Sequence, residues 1–289
     1  MKPNQTSSRW LARTFPWISA LYLTVILGLP SVCALLLVQK AGRFQMLAAV
    51  FVLPLWSLAF VVVAGALSRC HQFAVTPGKF RRDVGDRRYF HRRLYGLCWT
   101  AVFYNKPVYF ICLSIPFLKW VTFRLFGYRG SMNFTVYPDT WIRDLPLLNF
   151  EDGVYVSNRA TLGTNIVLSN GYLLVDGITL RSGSLVGHLA MVGPGAELEA
   201  GVEVGVGAVI GIRANLGAGS FVGPCSGVGH GARLGAKAAL GSRVSVGARA
   251  VVPDDLHLPD FTTIAARTRV KESDYRQRPR VVEAMGMAA

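Results

Sequence analysis

His188 and His230 are the side chains best suited to acid–base chemistry in a chain with five histidines. A neutral imidazole takes a proton from a hydroxyl or amine when an acceptor orients its other nitrogen and the substrate comes within ~3 Å. Each of the two follows an aliphatic residue by two places, Val186 and Val228. Thiols offer less. Cys33, Cys70, Cys98, Cys112 and Cys225 are odd in number, scattered, and contain no C-x-x-C pair. They spell neither a disulfide framework nor a thiolate zinc cluster, and Cys225 reads as a small buried hydrophobe rather than a nucleophile.

The element that must position the histidines is a repeat. Every sixth residue from Val156 to Val252 is aliphatic, seventeen positions in succession. Gly follows directly at 163, 187, 193, 205, 211, 217, 223, 229, 235, 241 and 247, and a small residue usually stands two places before, as at Ala160, Ala190 and Ala208. No amphipathic helix or ordinary sandwich keeps a strict period of six. A three-sided solenoid does: one side chain in six fills an interior corner, and short parallel strands stack ~4.8 Å apart. The glycine beside each corner is expected to allow the sharp backbone turn there.

Three hexapeptides make an 18-residue coil. On that count Asn170 lies directly below His188, with Asp152 one coil lower, and His230 tops a column of Ile212, Pro194, Asp176 and Asn158. The two histidines then sit on different faces, ~10 Å apart in height. Asn170 is the expected orienting partner of His188. The period runs unbroken, so no long looped insertion is expected.

These residues resemble the hexapeptide-repeat acyltransferase superfamily, with the left-handed parallel β-helix as its fold, over about residues 150–265. The segments Arg124–Gly130 and Leu147–Gly153 are similar to the lead-in of membrane-linked members, among them the C-terminal regions of poly-amino-acid synthetases. The resemblance implies a homotrimer with an acyl-CoA or acyl-carrier-protein site between subunits. It also implies direct acyl transfer, with His188 as general base, His230 as second candidate, and backbone N–H groups at Gly187 or Gly205 holding the oxyanion. The pantetheine arm is expected along the later coils, where Arg213, Lys237, Arg243, Arg267, Arg269 and Lys271 would meet phosphates. Gly229-His230-Gly231 resembles the zinc coils of γ-class carbonic anhydrases, but that site needs a third, closely spaced histidine. No metal is therefore expected.

The N-terminal half sets where such an enzyme works. No residue is charged from Phe15 to Gln39 or from Met46 to Ser68, and each run is long enough to span ~30 Å of hydrocarbon. Lys2, Arg9 and Arg13 precede the first run; Arg69, Lys79, Arg81, Arg82, Arg87, Arg88, Arg92 and Arg93 follow the second. The positive-inside rule puts both ends of this hairpin in the cytoplasm. A cleaved signal peptide fits poorly, because the first run is too long and a second follows at once.

Composition agrees. A net charge of +15 accompanies only 16% charged and 52% hydrophobic residues, with mean hydropathy +0.36. A nucleic-acid binder is rarely so apolar and no recognisable RNA motif is present; a disordered chain is polar and aromatic-poor.

The expected organisation is a cytoplasmic segment (1–14), a transmembrane helical hairpin (15–68), a basic and aromatic region of interfacial helices (69–130), a left-handed β-helix acyltransferase domain (131–270) and a C-terminal tail (271–289). The expected protein is a multi-pass protein of a bacterial-type inner membrane, with its trimeric catalytic domain in the cytoplasm. It would move an acyl group, acetyl foremost, from acetyl-CoA to a hydroxyl or amine of a membrane-associated acceptor such as a lipid-linked saccharide or glycolipid, with no nucleic-acid partner. The alternatives are a carrier-dependent amide-forming component and a non-catalytic trimeric scaffold.

Overall fold

The structure, a computed structural model, describes residues 5–271. The proposed tail lies almost wholly outside that range.

The two uncharged runs form long helices, α1 (Gln5–Lys40) and α2 (Gln45–Arg69), which pack side by side around a short turn. Arg9–Lys40 and Val50–Arg69 are long and apolar enough to cross a membrane. Pro16, Pro30 and Pro54 lie inside these helices, a placement bilayer helices tolerate. Leu21, Leu27, Leu35 and Val50 are exposed on their flanks, while Ile26, Phe60 and Ala64 are buried. Apolar residues on the outside are what a helix surrounded by lipid requires.

Residues 69–130 hold a strand ahead of three helices. A strand, β1 (Gly78–Arg81), comes first, then α3 (Arg87–Tyr104), α4 (Lys106–Ser114) and α5 (Pro116–Leu125). Asp86 caps α3 by accepting the Tyr89 N–H at 3.0 Å. α3 is a packing helix. Its Tyr95 and Trp99 are fully buried; Trp99 Nε1 donates to the Ile142 carbonyl at 2.8 Å and the Tyr95 hydroxyl to that of Phe126 at 2.9 Å. The first bond joins the helical region to the first solenoid coil and the second ties α3 to the end of α5. α4 and α5 meet at a 115° bend and expose Phe110, Phe117 and Trp120.

From Phe134 onward the chain winds as a left-handed parallel β-helix with three faces of seven, seven and six strands. The first face runs from Phe134–Val136 to His257–Leu258, the second from Trp141–Ile142 to Thr263–Ile264, the third from Leu148–Phe150 to Val251–Val252. Val186, Leu198, Val204 and Leu216 are fully buried, as are Ala190, Ala196, Ala208 and Ala214. The aliphatic and small columns are thus the solenoid core.

The period breaks once, out of sight of the sequence. Val186 pairs with Val204, eighteen positions on, but Val156 pairs with Val186 and Leu162 with Val192, thirty positions on. The surplus is a β-hairpin, β2 (Asn165–Val167) and β3 (Tyr172–Val175), which leaves the coil and pairs antiparallel with β1. The expectation of an uninterrupted solenoid is therefore wrong. The insertion is two hexapeptides long, so it preserves the phase of the repeat. Leu168 and Leu174 keep the count while standing half-buried outside the core.

The glycines serve a different purpose from the one expected. Gly187, Gly205 and Gly223 do not have positive φ. A Cβ on Gly223 would stand 2.3 Å from the Gly241 carbonyl oxygen, so glycine here permits close stacking of coils. The left-handed turn comes two residues later, and non-glycine residues occupy many such corners: Arg213 (φ 52°), Cys225 (56°), Lys237 (55°), Arg243 (55°) and Arg267 (61°). Cys225 is accordingly exposed, not buried.

Candidate functional site

The interrupted coil moves every column below residue 176. The position beneath His188 belongs to Asn158: Val156 and Val186 are paired, and the Leu189 N–H points at the Asn158 carbonyl at 3.4 Å. Asn170 is not there. It sits at the hairpin tip, where its Oδ1 accepts the Tyr172 N–H at 3.2 Å. Asp152 also leaves the column, stacking under Ser182 and Gly183 on another corner, bonded to Ser131. Asn158 takes over the geometry assigned to Asn170, and its Oδ1 is buried without a partner. A buried amide oxygen without a donor costs free energy, and the half-buried His188 stands one coil above Asn158.

His230 differs. It caps a corner whose lower members are Ile212 and Pro194, and Asp176 lies instead at the hairpin's return. Its Nδ1 accepts the Ile212 N–H at 3.0 Å, a device repeated where Asp254 accepts from Ala236 (2.8 Å) and Asp260 from Ser242 (2.7 Å). An Nδ1 that accepts leaves the ring proton on Nε2, so His230 is a donor rather than a base.

His188 follows Leu185–Val186 of the first face and His230 follows Gly227–Val228 of the second, so the two stand at different corners. His188 also precedes the strand Met191–Val192, so they stand at opposite edges of the second face, two coils apart. A third solenoid histidine, His257, is exposed on the first face. Between the edges runs an exposed apolar strip of Leu189, Met191, Val206 and Val209. On the His230 side the strip deepens into a cleft of about 410 Å³, walled by Trp141, Met191, Val209, Ile212 and His230 and flanked by Asn165 and Ile166 of the hairpin.

The expected oxyanion donors are occupied. The Gly187 N–H bonds to the Val204 carbonyl and that of Gly205 to Val222, both at 2.7 Å. Among the described residues, the backbone N–H groups of His188 and Val206 at this corner have no such partner.

The basic residues assigned to the acyl donor do not converge within one subunit. Arg213 and Arg267 share the corner between second and third faces, Lys237 lies at the corner before the first face, and Arg243 at the corner before the second. Arg213 is already ion-paired to Asp176 at 2.8 Å, across Gly195, where a Cβ would strike the Arg213 Cγ at 2.5 Å. Arg243 stands 5.6 Å from the Phe261 ring centroid, while Arg269 and Lys271 are exposed near the last coil.

Two further features escaped sequence reasoning. Tyr22, His71 and His91 form a chain between α1, the end of α2 and α3, with Tyr22 Oη 2.8 Å from His71 Nε2 and the two Nδ1 atoms 2.9 Å apart. Burial, then the His91 charge, pushes His71 down to about 4. The second feature is a buried ion pair between Arg92 and Asp144, with Thr164 donating to the same carboxylate at 2.7 Å.

No protein-family model and no curated protein sequence matches the chain. Solved structures similar to it include three whose descriptions name transferases. A histidine-to-alanine mutant of GDP-perosamine N-acetyl transferase from Caulobacter crescentus, in complex with CoA and GDP-perosamine, matches at 24% identity over 42% of this chain and 50% of that one, with a TM-score of 0.35. The acetyltransferase domain of PglB from Neisseria gonorrhoeae, in complex with acetyl coenzyme A, matches at 23% identity over 53% and 63%, TM-score 0.28. A hexapeptide transferase family protein from Anaplasma phagocytophilum matches at 15% identity over 48% and 81%, TM-score 0.38. The chain therefore spans half the length of the perosamine enzyme and less than two thirds of the PglB domain.

Proposed function

We propose that this protein is a membrane-anchored acyltransferase that moves an acetyl group from acetyl-CoA to a hydroxyl or amine of a membrane-borne acceptor at the cytoplasmic face. The observation that carries the reading is the second face of the solenoid: an exposed apolar strip with His188 above an unpartnered Asn158 at one edge and the hairpin-flanked cleft at the other. A strip of this kind needs a cover, and a second copy of the chain, in a homotrimer, would supply it and close the site.

His188 then acts as general base. Asn158 Oδ1 accepts its Nδ1–H, leaving Nε2 free to take the acceptor's proton as oxygen or nitrogen attacks the thioester carbonyl. The backbone N–H groups of His188 and Val206 then meet the oxyanion. The C–S bond breaks, the CoA thiolate recovers the proton from His188, and no acyl-enzyme forms. Of the six cations expected to meet CoA phosphates, only Arg213 is ion-paired among the described residues; Lys237, Arg243, Arg267, Arg269 and Lys271 have no carboxylate partner there.

The test uses the full chain in nanodiscs with radiolabelled acetyl-CoA and native envelope extract, followed by mass spectrometry of lipids and glycans. His188→Ala is expected to lower transfer by about 10²–10⁴-fold while leaving the oligomer intact. Full activity in that variant overturns the base assignment. Absence of acetyl-CoA binding at millimolar concentration overturns the acetyl-CoA reading and favours a carrier-bound donor or a scaffold.

A further inference from the structure

A second pocket, about 470 Å³, opens where the start of α1, helix α3 and the β2–β3 hairpin meet. Its walls carry Arg82, Arg92, Arg93 and Arg143 together with Ser19 and Asn165, and no carboxylate lines it. Asp144 offsets part of this charge from behind, through its contacts with Arg92 and, at 3.8 Å, Arg143. Arg82 and Arg93 pair with no carboxylate among the described residues.

Several polar atoms here are buried without partners: Ser19 Oγ, Arg92 Nε and Arg143 Nε. Arg92 is only 3% exposed. Buried polar hydrogens without acceptors cost free energy, and two guanidinium N–H groups and a hydroxyl at one pocket, with Arg143 Nε no nearer than 3.8 Å to Asp144 Oδ1, describe a hollow shaped for an anion. The guanidinium groups are also held in place. Arg93 stacks over Phe15 at 5.0 Å and stands 5.9 Å from the Tyr89 ring. Arg92 Nη2 donates to Asn165 Oδ1 at 3.1 Å. Arg143 lies against Gly96, where a Cβ would meet its Nη2 at 2.5 Å; glycine is a poor helix former, and here it makes room for the guanidinium. The Tyr89 hydroxyl follows suit: burial raises its pKa, but hydrogen bonds from Arg93 and Arg82 outweigh this and the net shift is downward.

Position narrows the ligand. Phe15 and Ser19 lie near the start of the first apolar helix, at the end it shares with Arg69 of α2, so the pocket is at the level of a bilayer's headgroups. Arg143 and Asn165 line both this pocket and the cleft beside His230, so the two are neighbours across these side chains.

We propose that this pocket binds the phosphate or diphosphate of the acceptor, the group through which a membrane-borne saccharide or similar amphiphile is joined to its lipid. Arg82, Arg93 and Arg143 hold the phosphoryl oxygens as charge-assisted donors, Ser19 and Arg92 Nε complete the shell, the lipid tail follows α1 into the bilayer, and the head group reaches along the hairpin into the cleft. The proposal rests on the acceptor reading above, but its test does not depend on catalysis.

Full-length protein in phosphatidylcholine nanodiscs is titrated with polyprenyl diphosphate, with phosphatidylglycerol as a phosphodiester control and with pyrophosphate as soluble competitor. Polyprenyl diphosphate is expected to bind more tightly than phosphatidylglycerol. Arg82→Gln/Arg93→Gln should weaken it at least 30-fold, Gly96→Ala about tenfold by displacing Arg143, and Arg249→Gln, an exposed corner residue, should not. Displacement by millimolar pyrophosphate confirms the phosphoryl group as the element recognised; pyrophosphate binding as tightly as the lipid overturns the lipid part. Equal affinity in wild type and the double variant, or equal binding of both lipids, overturns the site. Loss of binding in the variant, in a protein that transfers no acetyl group, leaves the site standing and removes the acyltransferase reading; acetyl transfer with unaltered binding does the reverse.

Discussion

The corners at His188 and His230 are built from the same position of the same hexapeptide, yet they use their imidazoles in opposite ways. At His230 the coil below supplies a backbone N–H, and Nδ1 is spent accepting it. At His188 the coil below is the interrupted one, the histidine side chain takes no partner among the described residues, and Asn158 leaves a buried oxygen free. A regular solenoid turns a histidine into a corner cap, as it does Asp254 and Asp260. The His188 ring makes no such bond among the described residues.

The largest expected effect comes from erasing the difference between the two corners. Removing residues 165–176 would bring Leu162 and Leu180 six positions apart and restore an 18-residue coil. The solenoid should keep its β-sheet circular dichroism and oligomeric state, while acceptor-dependent acetyl transfer falls below detection with the loss of one wall of the cleft. Transfer at wild-type rates would mean that the hairpin plays no part in the site.

A narrower intervention is Asn158→Ala. It is expected to reduce kcat about tenfold with little change in KM for acetyl-CoA, and to alter the acidic limb of the pH–rate profile, because the amide acts through His188. Asn158→Asp should restore part of the rate by supplying an acceptor again. An unchanged pH profile in Asn158→Ala would show that the amide does not orient the ring.

The smallest effect is expected at the other corner. His230→Ala removes the acceptor of the Ile212 N–H and should lower stability by about 0.5–1.5 kcal/mol, read as a reduced melting temperature. His230→Asn should recover most of that loss through its side-chain oxygen. A catalytic defect in His230→Asn without a stability change would reverse the roles assigned to the two histidines.

Particular residues show how far the sequence could be read. The aliphatic column from Val186 to Val252 carries the solenoid in its own spacing, since only a six-residue step buries it. The uncharged runs carry α1 and α2 in the same way. Leu168 and Leu174 show the limit. They satisfy the period but belong to a hairpin, because an insertion of two whole hexapeptides leaves no mark in a pattern of period six. The hairpin is held by β1, almost a hundred residues upstream, and a one-dimensional pattern contains nothing about that pairing. Asn158 was misread for the same reason, and the arginine pocket could not be read at all, as its members come from α1, α3, the first coil and the hairpin.

Local spacing therefore determined the two apolar helices, the three-sided coil and the pair of histidines on its corners, because each follows from burying one side chain in a fixed number. The tertiary structure decided which polar group lies beneath which histidine and where the arginines gather. Those relations depend on the length of one coil and on contacts between distant segments, quantities set by packing rather than by any repeat.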